Sequence, residues 1–237
     1  MQIQIRDSSE FHSLLLALVD ELVDAHIHFR LFKSLNADIP EYVRVFNQSC
    51  AFWQLTLRAH LDAVFLRLCK AYDQYGGGNP SLNLRNLLDT VAANLYLFDE
   101  PNFRERLRDN PFVDSLAATS RRPDLAQLQQ DLLSVSSSDP LVNKLTIWRN
   151  NFYAHRSPAQ ILDAEVFART YPLPLEDIEG LLNNGITIVN RYSDLFVATR
   201  HLPSMVGQND YSWLLKVAKE ELDRRERSFQ EEVKQFI

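Results

Sequence analysis

Cysteine and glycine are scarce in this 237-residue chain, which has two cysteines and six glycines. Cys50 and Cys69 both lie inside apolar helical patterns, so we expect two buried thiols in a reducing, cytoplasmic compartment. No apolar run approaches the ~20 residues that span a bilayer. The apolar stretch at residues 14–19 is short, and Glu10 and Asp20 bracket it, which does not fit a signal peptide. We therefore expect no contact with a membrane.

The sequence motifs of several enzyme classes are also missing. There is no glycine-rich phosphate loop, no Ser–His–Asp order, no cysteine nucleophile and no HExxH helix. We expect no cofactor and no bound metal. The net charge of −6 argues against a broad nucleic-acid surface, which usually needs a basic face. Arginine nevertheless outnumbers lysine roughly three to one, and a local arginine-lined cleft can exist on an acidic protein.

Helical periodicity extends over almost the whole chain, and the small number of glycines agrees with it. We predict one all-α domain over residues 1–237, a mostly antiparallel bundle of about five long helices plus short helices. Its core is expected at residues 8–98 and 139–201. A short-helix insertion is expected at residues 99–138, and a C-terminal helix at residues 209–236.

Prolines and capping residues predict where these helices begin. Pro40 opens the second long helix, and Ser81 caps the third, just after the flexible break at residues 76–80. Asp139 and Pro140 form a good helix start late in the chain. The shorter helices between them restart at three prolines, which are Pro101, Pro111 and Pro123.

One short segment has the residue types of a catalytic site. Residues 149–155 read RNNFYAH and place a permanent cation at Arg149, an amide at Asn150 and an imidazole at His155. Arginine is the side chain best suited to holding a phosphate in a fork, and histidine moves protons near neutral pH. Together they indicate phosphodiester chemistry without a metal. Pro158 predicts that the helix carrying the segment ends just beyond His155, with an irregular connector after it.

The spacing of this segment is weak support by itself, because Arg6 and His12 repeat it at the N-terminus. That copy straddles the start of the first helix and has no rigid frame, so we set it aside. On an ideal helix, Arg149 and His155 both fall near the apolar side, but they point ~120° apart and lie ~9 Å apart along the axis. The side chains of Arg149 and His155 would contact the same atom only if the last turn of the helix unwound or if a dimer interface completed the site.

Purely structural roles for the segment also fit the sequence. In that interpretation Arg149 pairs with a carboxylate from another helix and His155 is a satisfied interior histidine. Asp73 is a candidate for the carboxylate, because its charge at a helix C-terminal end opposes the helix dipole and so favours a specific partner. Asp73 could equally be an ordinary surface residue.

Residues 149–156 resemble the signature of the HEPN superfamily, especially its abortive-infection branch, in which an Arg and a polar residue precede a His. The layout of two long helices, a Leu-rich third and a late motif helix is similar as well. The resemblance implies a HEPN-like helical fold and a homodimeric, metal-independent ribonuclease. It implies that Arg149 holds the scissile phosphate, Asn150 orients it and His155 transfers the proton. The supporting residues around them are Asn151, Tyr153 and Asp73.

One position departs from a known HEPN pattern. In HEPN toxins that pair with nucleotidyltransferase antitoxins, a Tyr follows the His by two positions. Ser157 occupies that position here, and Tyr153 lies on the other side of His155. The departure argues against control by that kind of antitoxin.

Other clusters of polar residues give weaker hypotheses. His26 and His28, near Asp24, lie two apart on a helix and point ~160° away from each other, which argues against one shared metal ion. The arginine-rich stretch at residues 104–122 is interleaved with acids, so a mixed-charge surface is favoured over an RNA contact. The apolar stripe of the last helix, at residues 215–233, packs on the bundle or forms a dimer contact.

Two functions follow from these observations. The first is a HEPN-type endoribonuclease that acts on RNA in phage defence or toxin-like growth control, with an antitoxin that the sequence does not name. The second is a non-catalytic helical module that keeps the motif as a dimerisation or partner interface. The acidic net charge favours the second, and the lean of Arg149 and His155 towards the apolar side favours the first.

Overall fold

The computed structural model describes residues 2–74, 80–153 and 158–235. These residues form helices and connecting segments and contain no strand, so the all-α prediction is confirmed for them. Among the same residues, no helix combines the length and the apolar character that crossing a membrane requires.

The α-helices in chain order are α1 (Ser8–Asp38), α2 (Val43–Gln48), α3 (Cys50–Ala71), α4 (Leu84–Ala93), α5 (Glu100–Arg106), α6 (Val113–Ala117), α7 (Leu125–Ser134), α8 (Pro140–Trp148), α9 (Pro158–Leu162), α10 (Ala164–Thr170), α11 (Leu175–Val197) and α12 (Tyr211–Gln235). A 3₁₀-helix at Leu95–Phe98 follows α4, and a π-helical turn at Arg149–Tyr153 follows α8.

Two of the predicted helix starts differ from those observed. The second long helix begins at Val43 rather than at Pro40, and it is interrupted at Ser49, so that α2 and α3 are separate helices. The third helix is capped by Asn83 rather than Ser81, because Asn83 directly precedes the first turn and its side chain accepts a hydrogen bond from Asn86 N at 2.8 Å. The predicted start at Asp139 is confirmed, since its carboxylate caps α8.

The irregular connector expected after Pro158 is wrong. The chain forms α9 and α10 there before it reaches the extended segment ahead of α11. Pro158 stands at the first position of α9, where its fixed φ and missing N–H suit a helix start. Pro172 and Pro174 then delay the next helix until Leu175.

The chain divides by its contacts into two compact units. The first contains Met1–Ala25 and Phe65–Pro203, and the second contains His26–Val64 and Ser204–Ile237. The arrangement as one domain over residues 1–237 stays a prediction.

The core of the first unit includes a triad of aromatic rings from three helical segments. Phe11, Phe98 and Phe196 are all fully buried, and their ring centroids lie 4.8 to 5.7 Å apart in edge-to-face arrangements. Aromatic pairs prefer this geometry because the positive edge of one ring meets the negative face of the next. The triad holds the beginning of α1, the 3₁₀-helix and the end of α11 together.

The second unit is built around α2 and the beginning of α12. Its buried apolar cluster consists of Tyr42, Val45, Phe46 and Leu215. Farther along α12, the predicted apolar stripe is not covered by the described residues, since Phe229 is 66% exposed. Packing on the bundle therefore accounts for the beginning of the stripe but not for its end.

Candidate functional site

The candidate motif begins where α8 ends. Asp139 accepts hydrogen bonds from Leu141 N and Val142 N, at 2.9 and 3.2 Å, and so fixes the first turn of α8. The α-helix continues to Trp148 and then widens into the π-helical turn, Arg149–Tyr153. The predicted α-helical conformation is therefore wrong for Arg149–Tyr153, and the predicted helix end just beyond His155 lies outside the described residues. Turns whose hydrogen bonds span five residues are rare and occur frequently at functional sites.

Arg149 pairs with the carboxylate of Asp73 in the structure. Arg149 Nη1 lies 2.7 Å from Asp73 Oδ1, although the N–H bond is not directed at that oxygen, so the contact is an ion pair and not a hydrogen bond. The two side chains are 35% and 25% exposed. Asp73 Oδ2 accepts a hydrogen bond from the Ser81 hydroxyl at 3.4 Å. Of the two interpretations of Asp73 left open by the sequence, the structure supports the partner of Arg149.

Asp73 is held in place by its two chain neighbours. The Tyr72 hydroxyl donates a hydrogen bond to the carbonyl of Leu181 at 2.7 Å, which attaches the end of α3 to α11. Gln74 Nε2 donates to the carbonyl of Val135 at 3.1 Å. Because both anchors are hydrogen bonds to the backbone of other segments, the Asp73 carboxylate has a defined position opposite Arg149.

The other motif residues occupy different environments. Asn150 is exposed, whereas Asn151 is partly buried and donates a hydrogen bond back to the carbonyl of Ile147 at 2.8 Å. Tyr153 closes the π-helical turn. His155, the predicted proton-transfer residue, lies outside the described residues. The described part of the motif therefore brings together Arg149 and Asp73 and leaves the Asn150 amide facing solvent.

Aromatic side chains cover one side of the motif. The rings of Trp148 and Phe152 stack at 4.6 Å, and Phe167 from α10 meets both of them at 5.6 and 5.7 Å. Trp148 Nε1 donates a hydrogen bond to the Tyr171 carbonyl at 2.7 Å. Phe152 is 37% exposed. The sequence did not indicate the part played by α10, because that segment was expected to be irregular.

Cys69 lies one turn before Asp73 on α3 and is buried, as predicted. Burial raises the pKa of its thiol to about 12. Two smaller effects oppose each other, because the charge of Arg149 lowers this pKa and the charge of Asp73 raises it. Cys50, by contrast, is exposed, so the prediction of two buried thiols is wrong for it. Cys50 stands at the start of α3, where the break at Ser49 interrupts the helical pattern that predicted its burial.

We expect an aromatic disulfide reagent to titrate one thiol in the native protein at pH 8 and both thiols in guanidinium chloride. The reacting species is the thiolate, which buried Cys69 does not form at this pH. Cys50→Ser is expected to abolish the native reaction, and Cys69→Ser is the matched control that should keep it. Rapid labelling of Cys69 in the folded Cys50→Ser variant would contradict the burial of this helix end.

Two weaker hypotheses from the sequence concern the pair Arg6 and His12 and a metal site at the histidines of α1. Arg6 forms an exposed ion pair with Glu10, so it does not form a site with His12. His28 Nδ1 lies 2.8 Å from His60 Nδ1. Within the described part of the chain, no three His, Cys, Asp or Glu side chains gather as a metal site.

The arginine-rich stretch is mostly a mixed-charge surface, as predicted. Four of its arginines form ion pairs with acidic side chains, and these are Arg104, Arg108, Arg121 and Arg122. Arg106 differs, because its guanidinium has no carboxylate partner among the described residues and two of its nitrogens are buried. No signal in the sequence separates Arg106 from its neighbours.

Comparison with known proteins adds one finding. The family model HEPN_AbiU2, whose description is AbiU2, matches residues 8–214 of the chain. No curated protein and no solved structure matches the chain. The family match covers well over half of the chain and confirms the HEPN resemblance predicted from residues 149–156.

Proposed function

The chain belongs to the HEPN AbiU2 family, and from this premise we propose that it is a metal-independent endoribonuclease. The observation that carries the proposal is Arg149, which stands on a π-helical turn with its guanidinium partly exposed and anchored by Asp73. An arginine presents five N–H donors in a planar fork. Asp73 contacts Nη1, and the proposal assigns the remaining donors of the fork to the phosphate.

The proposed reaction needs no external co-reactant. The ribose 2′-oxygen attacks the adjacent phosphorus, a new O–P bond forms, and the bond from phosphorus to the 5′-oxygen breaks. The products are a 2′,3′-cyclic phosphate and a 5′-hydroxyl. The proton of the 2′-hydroxyl passes to a base, and an acid supplies a proton to the leaving 5′-oxygen. Arg149 stabilises the negative charge on the phosphate, and the exposed amide of Asn150 orients one of its oxygens.

Proton transfer at both oxygens calls for two groups, and the motif has one histidine, His155. We therefore include in the proposal that two copies of the chain bring their motifs together as a homodimer. Apolar side chains near the motif suit such a contact. Ile161 and Leu162 of α9 and Val166 of α10 are 59%, 79% and 52% exposed. Exposed apolar clusters of this kind commonly mark protein interfaces.

RNA as the substrate fits the aromatic side chains beside Arg149. Phe152 is 37% exposed and Tyr171 is 38% exposed, so both offer ring surface to a ligand. Single-stranded nucleic acids bind by stacking bases on aromatic side chains, at about 1–3 kcal/mol per base, while basic groups hold the backbone. Arg149 and these rings together supply both kinds of contact without the broad basic surface that the acidic chain lacks.

The test is cleavage of a single-stranded RNA by the purified protein in excess EDTA. We expect fragments that end in 2′,3′-cyclic phosphate, because the nucleophile is the ribose itself. A DNA strand of the same sequence is the matched control and should remain intact, since it has no 2′-hydroxyl. Cleavage that stops on chelation, or fragments with 5′-phosphate ends, would contradict the mechanism.

A specific observation supports the second candidate, a non-catalytic interaction module. The Arg149 guanidinium already contacts a carboxylate, Asp73, as a structural ion pair would. If the protein is such a module, no RNA fragments form under any of these conditions, and Arg149→Ala dissociates its complex with a second copy.

Under the ribonuclease proposal the biological role is phage defence or toxin-like growth control, with an antitoxin as a further partner.

A further inference from the structure

A cavity separate from the motif lies within the first unit. It has a volume of about 470 Å³ and is bordered by the beginning of α1, the end of α5 and the segment around the end of α11. Its lining includes Ser9, His12, Arg106, Thr199 and His201. Ser9 and Thr199 are exposed, so the cavity reaches the surface. None of the lining residues is acidic.

Arg106 is the least satisfied charged side chain of this cavity. Its Nε donates a hydrogen bond to the Phe196 carbonyl at 3.1 Å, and its guanidinium stacks 3.8 Å from the centre of the Phe196 ring. Nη1 and Nη2 are buried, and no hydrogen-bond acceptor of the described residues reaches them. Burial lowers the pKa of Arg106 to about 10, so the side chain is still charged at neutral pH. A buried cation without an acceptor is costly, and an anion would offset that cost.

Two histidines add further donors to the same cavity. Burial lowers the pKa of His12, and the charges of Arg106 and His201 lower it further, so both of these groups lie within electrostatic reach of His12. His201 is held firmly, because its backbone N–H donates to Asn190 Oδ1 at 2.7 Å and its ring nitrogen Nε2 lies 3.0 Å from the Ser193 hydroxyl. Its ring position is therefore set before any ligand arrives.

The nearest acidic side chains of α1 and the segment before it have other partners. Asp7 Oδ1 accepts hydrogen bonds from Ser9 N and Glu10 N at 2.9 Å and so caps α1. Glu10 forms the ion pair with Arg6. The donors of Arg106 and His12 are thus not neutralised from this side.

We propose that this cavity binds the phosphate group of a small phosphorylated molecule, with His12 and His201 donating hydrogen bonds from its walls and the buried guanidinium of Arg106 supplying positive charge behind them. A tetrahedral phosphate offers oxygens towards all three side chains, whereas a planar carboxylate offers two oxygens in one plane. The Ser9 and Thr199 hydroxyls lie on the exposed edge, where the rest of the molecule would leave the cavity. This proposal does not rest on the ribonuclease proposal, because none of these residues belongs to the motif.

The test compares thermal unfolding of the full chain in 10 mM inorganic phosphate and in chloride of equal ionic strength. With a dissociation constant of about 1 mM, phosphate raises the melting temperature by about 3 °C. Arg106→Gln is expected to weaken phosphate binding at least about tenfold and to remove this shift. Arg108→Ala, an exposed arginine on the same stretch, is the matched control and keeps the shift.

Adenosine monophosphate and adenosine form the second arm of the experiment. Tighter binding of the nucleotide than of phosphate, with no binding of adenosine, assigns the site to a phosphate monoester, and equal binding assigns it to free phosphate. If Arg106→Gln fails to fold, His12→Gln takes its place and should weaken binding about three- to tenfold. Absence of a phosphate effect in the wild-type protein, or an unchanged effect in the folded Arg106→Gln and His12→Gln variants, overturns the proposal. Ribonuclease activity is not a readout here, so the two proposals can fail separately.

Discussion

Arg149→Ala is expected to lower the rate of RNA cleavage about a thousandfold while the protein keeps its fold. Removing one group that is aimed at the charge of a transition state typically costs about a hundred- to a thousandfold in rate. Arg149 also provides the positive charge for a phosphate at this site, so we expect an effect at the upper end of that range. His155→Ala is expected to abolish cleavage, because it removes the proton-transfer group.

The conservative variant Arg149→Lys tests what the arginine contributes. Lysine keeps the charge but loses the planar fork, so we expect a loss of about ten- to a hundredfold. Single-turnover cleavage in EDTA measures all of these rates on one RNA. Arg58→Ala removes an arginine that is 75% exposed and stands in the second unit, and it should cleave at the wild-type rate. A wild-type rate for Arg149→Ala would identify any observed cleavage as contamination.

Asp73 has a different expected effect, because it acts through Arg149. Asp73→Asn keeps the size of the side chain and removes the charge that holds the guanidinium. We expect kcat to fall about tenfold with KM nearly unchanged, since phosphate binding survives while its orientation is lost. A rise in KM alone would indicate that Asp73 is needed for binding and not for orientation.

The largest expected effect on stability is that of Asp131→Ala, a loss of about 3 kcal/mol in the free energy of unfolding. The Asp131 carboxylate is buried and accepts hydrogen bonds from Arg191, from the Tyr192 hydroxyl at 2.9 Å and from Gln127 Nε2 at 3.0 Å. Its removal leaves the Tyr192 hydroxyl without an acceptor and the Arg191 charge without its partner. Breaking a buried charged network from one side costs about 3–5 kcal/mol, and the partial exposure of Arg191 places this variant at the lower end.

Two further variants have smaller expected losses of stability, with which the loss for Asp131→Ala is compared. Tyr192→Phe removes one hydroxyl and keeps the ion pair, so we expect a loss of about 1 kcal/mol. Asp114→Ala removes an acid that is 89% exposed and pairs with Arg104 at the surface, and it should change stability by less than about 1 kcal/mol. Urea unfolding followed by far-ultraviolet circular dichroism gives all three values. Similar losses for Asp131→Ala and Asp114→Ala would refute the buried network.

Much of the fold followed from local patterns in the sequence. The all-α class and the start of α8 at Asp139 rest on periodicity and capping, which involve residues within a few positions of each other. The errors arose where local signals competed. Pro158 disfavours a helix before it and favours one after it, so the same residue predicted a connector where α9 begins. Cys50 fitted an apolar pattern that the break at Ser49 interrupts.

Some features of the candidate site could likewise be identified from local patterns in the sequence, and others could not. Arg149 and Asn150 could be identified from the residue types of the motif, and the family match supports that identification. The partner of Arg149 could only be proposed, because Asp73 is distant in the chain and had an equally good interpretation as a surface residue. The π-helical turn was not predicted either, since nothing in RNNFY separates it from an α-helical continuation.

The sequence alone determined that the chain is helical, that it belongs to the HEPN AbiU2 family, and that Arg149 stands in the motif, because these properties depend on residue types and on spacing along one helix. Only the tertiary structure decided that Asp73 faces Arg149 and that Arg106 is left without a carboxylate beside His12. The physical reason is that ion pairing depends on distances between segments, which are set by the packing of α3, α5, α8 and α11. Arginines that look alike in the sequence therefore have three different environments in the folded protein. One is a paired surface charge, one is a motif residue anchored by a carboxylate, and one is a buried cation that an anion can bind.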